Sequence, residues 1–282
     1  MKPFPVPAWR KRHINQKYAR KNRVIVSAVT EMEEVMKRAV DEIYDHAVKT
    51  HHFAEPSLNE MFTVSDRFYR RVVEQSFYSA EEEKKMQVGR KRLGKAPPKM
   101  PRSLRDLHQV FGDKRYWPKI MKRSKVMTER LRKSYIRKLR KKFDEMMPRI
   151  TSGEWSPAEA KTHLMETWKT SRSRVENIFR TETTNYFGKT QVAFFENDPE
   201  ILGFLFDSIK DTARTDICRS RHGLIYRPGT KLLRENTPAC HWQCRSHLIA
   251  LANTPYNRKM LSDPDRDPSK KSVVPLPSGW RK

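Results

Sequence analysis

The sequence predicts a mainly α-helical protein with a small α+β element in its C-terminal half, and three observations carry that reading. Long stretches repeat their apolar residues every three or four positions, as amphipathic helices require. Three short β-prone apolar runs stand at 201–206, 224–226 and 247–252, enough for a small antiparallel sheet. All three cysteines and two histidines are interleaved with those runs, between Cys218 and Cys244. A helical N-terminal half, then a helix, short antiparallel strands and a Cys/His knuckle, accounts for all three.

Composition sets the outer bounds. The 282 residues suffice for one large or two smaller domains. With 37% hydrophobic and 33% charged residues, extended helices with solvated surfaces around modest cores are expected. The formal net charge is +26, and most of it belongs to residues 1–150, where 38 Lys and Arg face 18 Asp and Glu. Such an excess points to a polyanionic partner: nucleic-acid phosphates first, an anionic membrane surface second, an acidic protein channel third. No stretch approaches the roughly 20 apolar residues that span a bilayer. The basic N-terminus has no apolar core or cleavage site for secretion. Two cysteines only four apart favour a reducing compartment, so a soluble protein made in a cytoplasm is expected.

Residues 1–23 are basic, proline-bearing and aperiodic, which reads as an arm. A helical basic domain follows over 24–150. Its first helix runs from about Val24 to Thr50 on Val35, Ala39, Ile43 and Ala47. His51-His52 then reads as a polar helix end without chemistry. A second helical region spans about 57–94 and buries Phe62, Phe68, Val72, Val73 and Phe77. The Gly/Pro/Lys-rich segment 93–103 is a linker. From 117 to 150 comes an amphipathic helix whose polar face is almost all cationic. Arg130, Arg132, Lys133, Arg137, Lys138, Arg140 and Lys141 are its candidate nucleic-acid-binding residues. The plainer reading of such a face is that it only keeps the helix solvated; the scarcity of compensating acids favours a polyanion.

A further domain is expected over 151–253. Ser156-Pro157-Ala158-Glu159 is a capping box with proline at the first helical position, and Ser173-Arg174-Val175-Glu176 is a second, opening another helix. Glu182 shares that helix's buried face and needs a cation, for which Arg214 or Arg245 is suitable. With Arg180, these residues read as a structural brace between helix and knuckle. In the knuckle, C-x3-H and C-x3-C pairs are separated by a loop, as in a small zinc site. Cys218, Cys240 and Cys244 are the prime ligands and His222 the fourth, because His241, adjacent to Cys240, would have to fold back to reach the same ion. Three inert buried thiols, or one disulfide with an odd cysteine, remain the alternatives. Residues 254–282, with five prolines and many charges, read as an extended tail.

Residues 174–245 resemble the head-morphogenesis, or minor head protein, family of tailed phages, which includes the F-type proteins of phage Mu. The landmarks are Arg180-Thr181-Glu182 on a helix, then Asp211-x-x-Arg214-Thr215-x-x-Cys218 with His222-Gly223-x-x-Tyr226, and then Pro238-Ala239-Cys240-His241-x-x-Cys244-Arg245-Ser246. Their order and spacing match over about seventy residues. Arg221 departs from the cysteine-rich members. The resemblance implies a non-enzymatic minor head protein, present in several copies and associated with the portal and major capsid protein. It would act around DNA packaging or ejection, inside the virion head after assembly in the host cytoplasm. Packaged DNA would be its non-specific partner, with no membrane required. Two alternatives stand beside it. A metal-dependent nuclease lacks a convincing helix to complete a ββα-metal arrangement around His241 and His247. A regulator binding nucleic acid through the knuckle has no reading helix or stacking platform.

Overall fold

The computed structural model describes residues 8–88, 116–278 and 280; the linker expected near 93–103 and the first seven residues lie outside them. Among the described residues four long helices come first: α1 (Ala8–Thr50), α2 (Glu60–Val88), α3 (Tyr116–Thr151) and α4 (Pro157–Phe195). Then follow β1 (Ile201–Asp207), α5 (Asp216–Arg221), β2 (Ile225–Tyr226), α6 (Lys231–Asn236), β3 (His247–Ala252) and α7 (Pro255–Leu261). The protein is mainly helical with a small C-terminal antiparallel sheet, as its periodicity predicts.

The domain boundaries expected at 23, 150 and 253 do not describe the packing. The described residues form two compact units, one from 25–69 and 118–179, the other from 8–24, 70–88, 116–117, 180–278 and 280. Helices α1, α2 and α4 each give a stretch to both, so sequence order and spatial grouping part company.

The first unit contains no strand among the described residues. Met32, Val40 and Ile43 of α1, Leu139 and Met146 of α3 and Leu164 of α4 are fully buried in it. The capping box at the start of α4 forms as expected. Ser156 N–H donates to Glu159 Oε2 at 2.7 Å, and Glu159 N–H donates back to Ser156 Oγ at 3.3 Å. The second capping box opens nothing, because α4 runs unbroken through Ser173. Trp168, Val175 and Phe179 carry the buried stripe straight across it, so no chain break exposes the backbone donors that a cap would satisfy.

The second unit holds the sheet, ordered β2-β1-β3 with both pairings antiparallel. Side chains alternate across β1. Phe204 and Phe206 join one apolar cluster with Phe77, Phe195 and Leu233, while Leu205 meets Ile249, Leu251 and Met260 in another. Both faces are therefore covered, and β3 is buried at every position.

The outer edge of β3 is closed by helix side chains in place of a strand. Lys21 donates to the Ser246 carbonyl and Lys17 to the Leu248 carbonyl, at 3.3 and 3.0 Å. Glu83 accepts from Ala250 N–H, Gln87 bonds the Ala250 carbonyl and Ala252 N–H, and Asn257 donates to the Ala252 carbonyl. The match has a simple geometric origin. Residues four apart on a helix are separated by about 6 Å, close to the roughly 6.7 Å between alternate residues of a strand. Two residues of α1 and two of α2 thus imitate a missing strand, and the edge offers no template for another chain.

This corrects the expected basic arm for residues 8–23, which are helical. The inward positions there are His13, Lys17 and Lys21, all at most 4% exposed. A buried face made of basic residues carries no hydropathy period, which is why the stretch reads as aperiodic.

The expected extended tail is corrected too. Thr254, Asp263 and Asp267 each cap a short helical turn whose first residue is proline: Pro255, Pro264 and Pro268. Farther on, Arg221 donates to the Val274 carbonyl, Trp280 Nε1–H donates to the Ala239 carbonyl, and Val273 and Leu276 pack on the core. Those prolines start turns and do not loosen the chain.

One glycine fixes a close approach. A Cβ at Gly188 of α4 would lie 2.7 Å from the Pro238 carbonyl oxygen and 2.9 Å from Thr237 Cγ2. Gly188→Ala is expected to destabilise the protein by about 1–3 kcal/mol, read by urea unfolding. No measurable change would mean that the 237–238 loop can retreat.

Candidate metal centre and cationic surface

Three of the knuckle side chains converge. The ligand atoms of Cys218, His241 and Cys244 lie within 4.8 Å of one another, the only such Cys/His/carboxylate group among the described residues. Cys218 sits in α5, whose cap Thr215 accepts from Cys218 N–H. His241 and Cys244 belong to the loop before β3. There Gln243 takes a left-handed backbone conformation, φ +59°. Helix α4 holds that loop: Thr181 Oγ1 accepts from Gln243 N–H at 3.0 Å, and Thr184 Oγ1 donates to the Cys244 carbonyl at 2.7 Å. These two threonines position the centre, and ligand spacing does not point to them. Their one signal in the sequence is a Thr-x-x-Thr spacing on the helix carrying the Arg-Thr-Glu landmark.

The geometry suits an ion. The Cys218 and Cys244 sulfurs are 3.7 Å apart and unbridged. Two thiolates about 2.3 Å from a tetrahedral ion stand about 3.8 Å apart. His241 Nε2 is 3.0 Å from Cys218 Sγ, somewhat closer than a tetrahedral edge. His241 Nδ1–H donates to the Trp242 carbonyl at 2.7 Å, which leaves Nε2 as the ligating nitrogen. Ser246 Oγ–H donates to Cys218 Sγ at 3.1 Å.

Charge follows the same geometry. The two sulfurs are within hydrogen-bond distance of each other. Burial disfavours a thiolate at Cys244, but hydrogen bonds from Cys218 and His241 outweigh it and hold the Cys244 pKa well below its ordinary value. Cys218 is pushed up by its hydrogen bond to Cys244 and by burial. Burial works against the His241 cation, yet the neighbouring Cys244 raises its pKa overall. A thiolate beside an imidazole is the donor set that binds thiophilic ions, with protons released as the ion enters.

Two of the four expected ligands lie elsewhere. His222 caps the C-terminus of α5, and its Nδ1 accepts from Ser208 N–H and lies 3.6 Å from Asp207. Cys240 is fully buried, with its sulfur 3.8 Å from the Asn236 carbonyl. His241, which spacing disfavours as a neighbour of Cys240, is the residue that reaches. The left-handed Gln243 turns the loop so that residues 241 and 244 face one point, which spacing alone does not reveal.

The brace is rearranged as well. Arg245 makes a bidentate pair with Asp211, at 2.6 and 2.7 Å, and not with Glu182. That pair holds the Asp211 carboxyl below its usual range. Glu182 is fully buried and Arg180 half-buried. Arg214 is half-buried with its Nε–H unpartnered. Arg221, the departure from the cysteine-rich pattern, is a buried tie: its Nε donates to Asn236 and its Nη1 to the Ile217 carbonyl.

On α3, in the other unit, the seven candidate DNA contacts divide. Arg130, Lys133, Arg137, Arg140 and Lys141 are exposed. Arg132 is half-buried and bonded to Glu129 and Glu55. Lys138 is half-buried and donates to the Thr170 carbonyl and Ser171. Arg140 lies 4.4 Å above the Phe53 ring, and Lys133 and Lys141 have Glu129 and Glu145 within 4 Å. Arg132 and Lys138 are therefore structural, and the cationic surface is narrower than the sequence implies.

Among the described residues no helix is long and apolar enough to cross a membrane. Compared with known protein families, curated proteins and solved structures, the chain matches none of them.

Proposed function

We propose that the chain is a non-enzymatic minor head protein of a tailed phage, associated with the portal and major capsid protein, with zinc in its knuckle and packaged DNA against its cationic surface. The observation that carries this reading is the meeting of the three motif landmarks in one knuckle. Thr181 bonds Gln243, Thr184 bonds the Cys244 carbonyl, and Asp211 bonds Arg245, although these residues are 34 to 62 positions apart. Landmarks spread through the chain thus close on one another in space, and their order and spacing resemble those of the minor head proteins. Two thiolates and an imidazole favour zinc among available ions. The +26 charge and the exposed cations of α3 suit a protein facing a genome without reading its sequence.

The protein is expected to co-purify with procapsids and mature particles; its absence from both would sink the reading. Its DNA affinity should fall steeply with salt and show no sequence preference. Replacing the exposed Arg130, Lys133, Arg137 and Lys141 with glutamine should reduce the log–log salt slope by about 0.9 for each phosphate that is no longer neutralised. Unchanged DNA binding together with failed incorporation would make this face an assembly surface.

A further inference from the structure

We infer that the Cys218–His241–Cys244 centre is an open one, in which the chain supplies three ligands and a water-sized oxygen ligand, exchangeable for a small anion, takes the fourth position. The inference rests on reading the cluster as a metal centre and concerns what completes it.

The first observation is the count of ligands. A sealed structural zinc site takes four protein ligands, whereas a site with three keeps one position for an outside group. The two further ligands that the spacing offers are bonded to other groups. Cys240 turns toward the Asn236 carbonyl, and His222 receives Ser208 N–H. No carboxylate joins the group among the described residues.

The second observation is a small cavity against the centre. Cys218 and His241 line it together with Ser208, Arg214, Gln243 and Arg245, and it has room for about 20 Å³. That is enough for one water, or for the donor atom of a small anion bound end-on. The cavity wall carries polar atoms that have nothing to bond. Ser208 is 3% exposed and its Oγ has no hydrogen-bond partner; Arg214 Nε–H is likewise buried and unpartnered. Buried polar groups are ordinarily satisfied, so two orphans beside one water-sized space mark the place of a missing oxygen. One donor there is a guanidinium, and the Arg245 guanidinium also lines the space, already paired to Asp211. The pocket therefore favours an oxygen ligand that accepts hydrogen bonds, and tolerates negative charge.

The test uses the full chain, freed of metal by chelation and reloaded with cobalt(II), whose visible bands report the ligands around it. Azide serves as the small-anion probe. The expected result is stoichiometric cobalt uptake with thiolate bands, followed by a saturable change in the d–d bands as azide is added. Arg214→Gln should keep the cobalt and weaken azide binding about tenfold, the loss of one charge-assisted hydrogen bond. Ser208→Val, which fills the space, should keep the cobalt and abolish the azide response. Cys240→Ser and His222→Asn should leave the spectrum unchanged. Cobalt bound with no response to azide, or a spectrum altered by Cys240→Ser or His222→Asn, would overturn the open position while leaving the metal centre standing. Failure to take up cobalt or zinc at all would overturn both.

Discussion

Glu83→Gln is expected to destabilise the unit containing the sheet by roughly 3–5 kcal/mol, because it leaves a buried lysine without its counter-charge. Glu83 is fully buried. It accepts from His13 at 2.8 Å, from Lys17 at 2.9 Å, from Gln191 at 2.6 Å and from Ala250 N–H. Glutamine keeps an acceptor for Ala250 but not the charge that holds Lys17, which is itself 2% exposed. The pair is strongly coupled, so the double variant Lys17→Met/Glu83→Gln should be more stable than Glu83→Gln alone. Urea unfolding of the wild type and three variants closes the cycle. Additivity within about 0.5 kcal/mol would show that the charges do not interact and the account is wrong. Burial alone would raise the Glu83 pKa, but Lys17 and His13 outweigh it and hold it low. Its contribution is therefore present above the ordinary carboxylate pKa and lost as pH falls through the folded value.

Lys21→Met is expected to stabilise the protein at neutral pH, and the gain should shrink as pH rises. Lys21 is 4% exposed, with a long bond to the Ser246 carbonyl and the Phe187 ring 5.4 Å away. Burial, with Lys17 adding repulsion and Cys244 opposing it, pushes its pKa down to about 7 from 10.5. Between those values the unfolded chain binds a proton that the folded chain does not, so wild-type stability rises with pH across that window. Below about pH 7 the full cost of charging a buried amine applies, on the order of 5 kcal/mol between the extremes. Denaturation midpoints measured with chelator present, at about pH 7 and about pH 10, decide it. A gain of the same size at both would mean that Lys21 keeps its proton in the fold.

Both predictions concern residues that the sequence hides. Hydropathy spacing locates α2 and α3 closely, because Phe68, Val72, Leu139 and Met146 face apolar neighbours and leave a period. It locates β3 from His247 to Ala252, since a strand buried on both faces reads as a plain apolar run. It fails over 8–23, where the inward residues are His13, Lys17 and Lys21 and their partners are a carboxylate on α2 and carbonyls of β3. Such partners come from sequence separations of 66 to 231 residues, and no local pattern encodes them.

The sequence by itself determined the class of fold, the start of α4 at Ser156-Pro157, and the stretch from Cys218 to Cys244 as the place of a Cys/His cluster that could hold a metal ion. These follow from local chemistry: periodicity, capping groups and residue types that bind ions. Which of the five Cys/His side chains meet was decided only in three dimensions. The left-handed Gln243 and the two threonines of α4 set the loop so that His241 reaches Cys218 while His222 and Cys240 turn away. The division into two units was likewise settled by packing, as long helices bury one stretch in each. Spacing counts residues along the chain, whereas coordination and packing depend on directions in space, and a single backbone torsion at one loop residue changes those without altering the count.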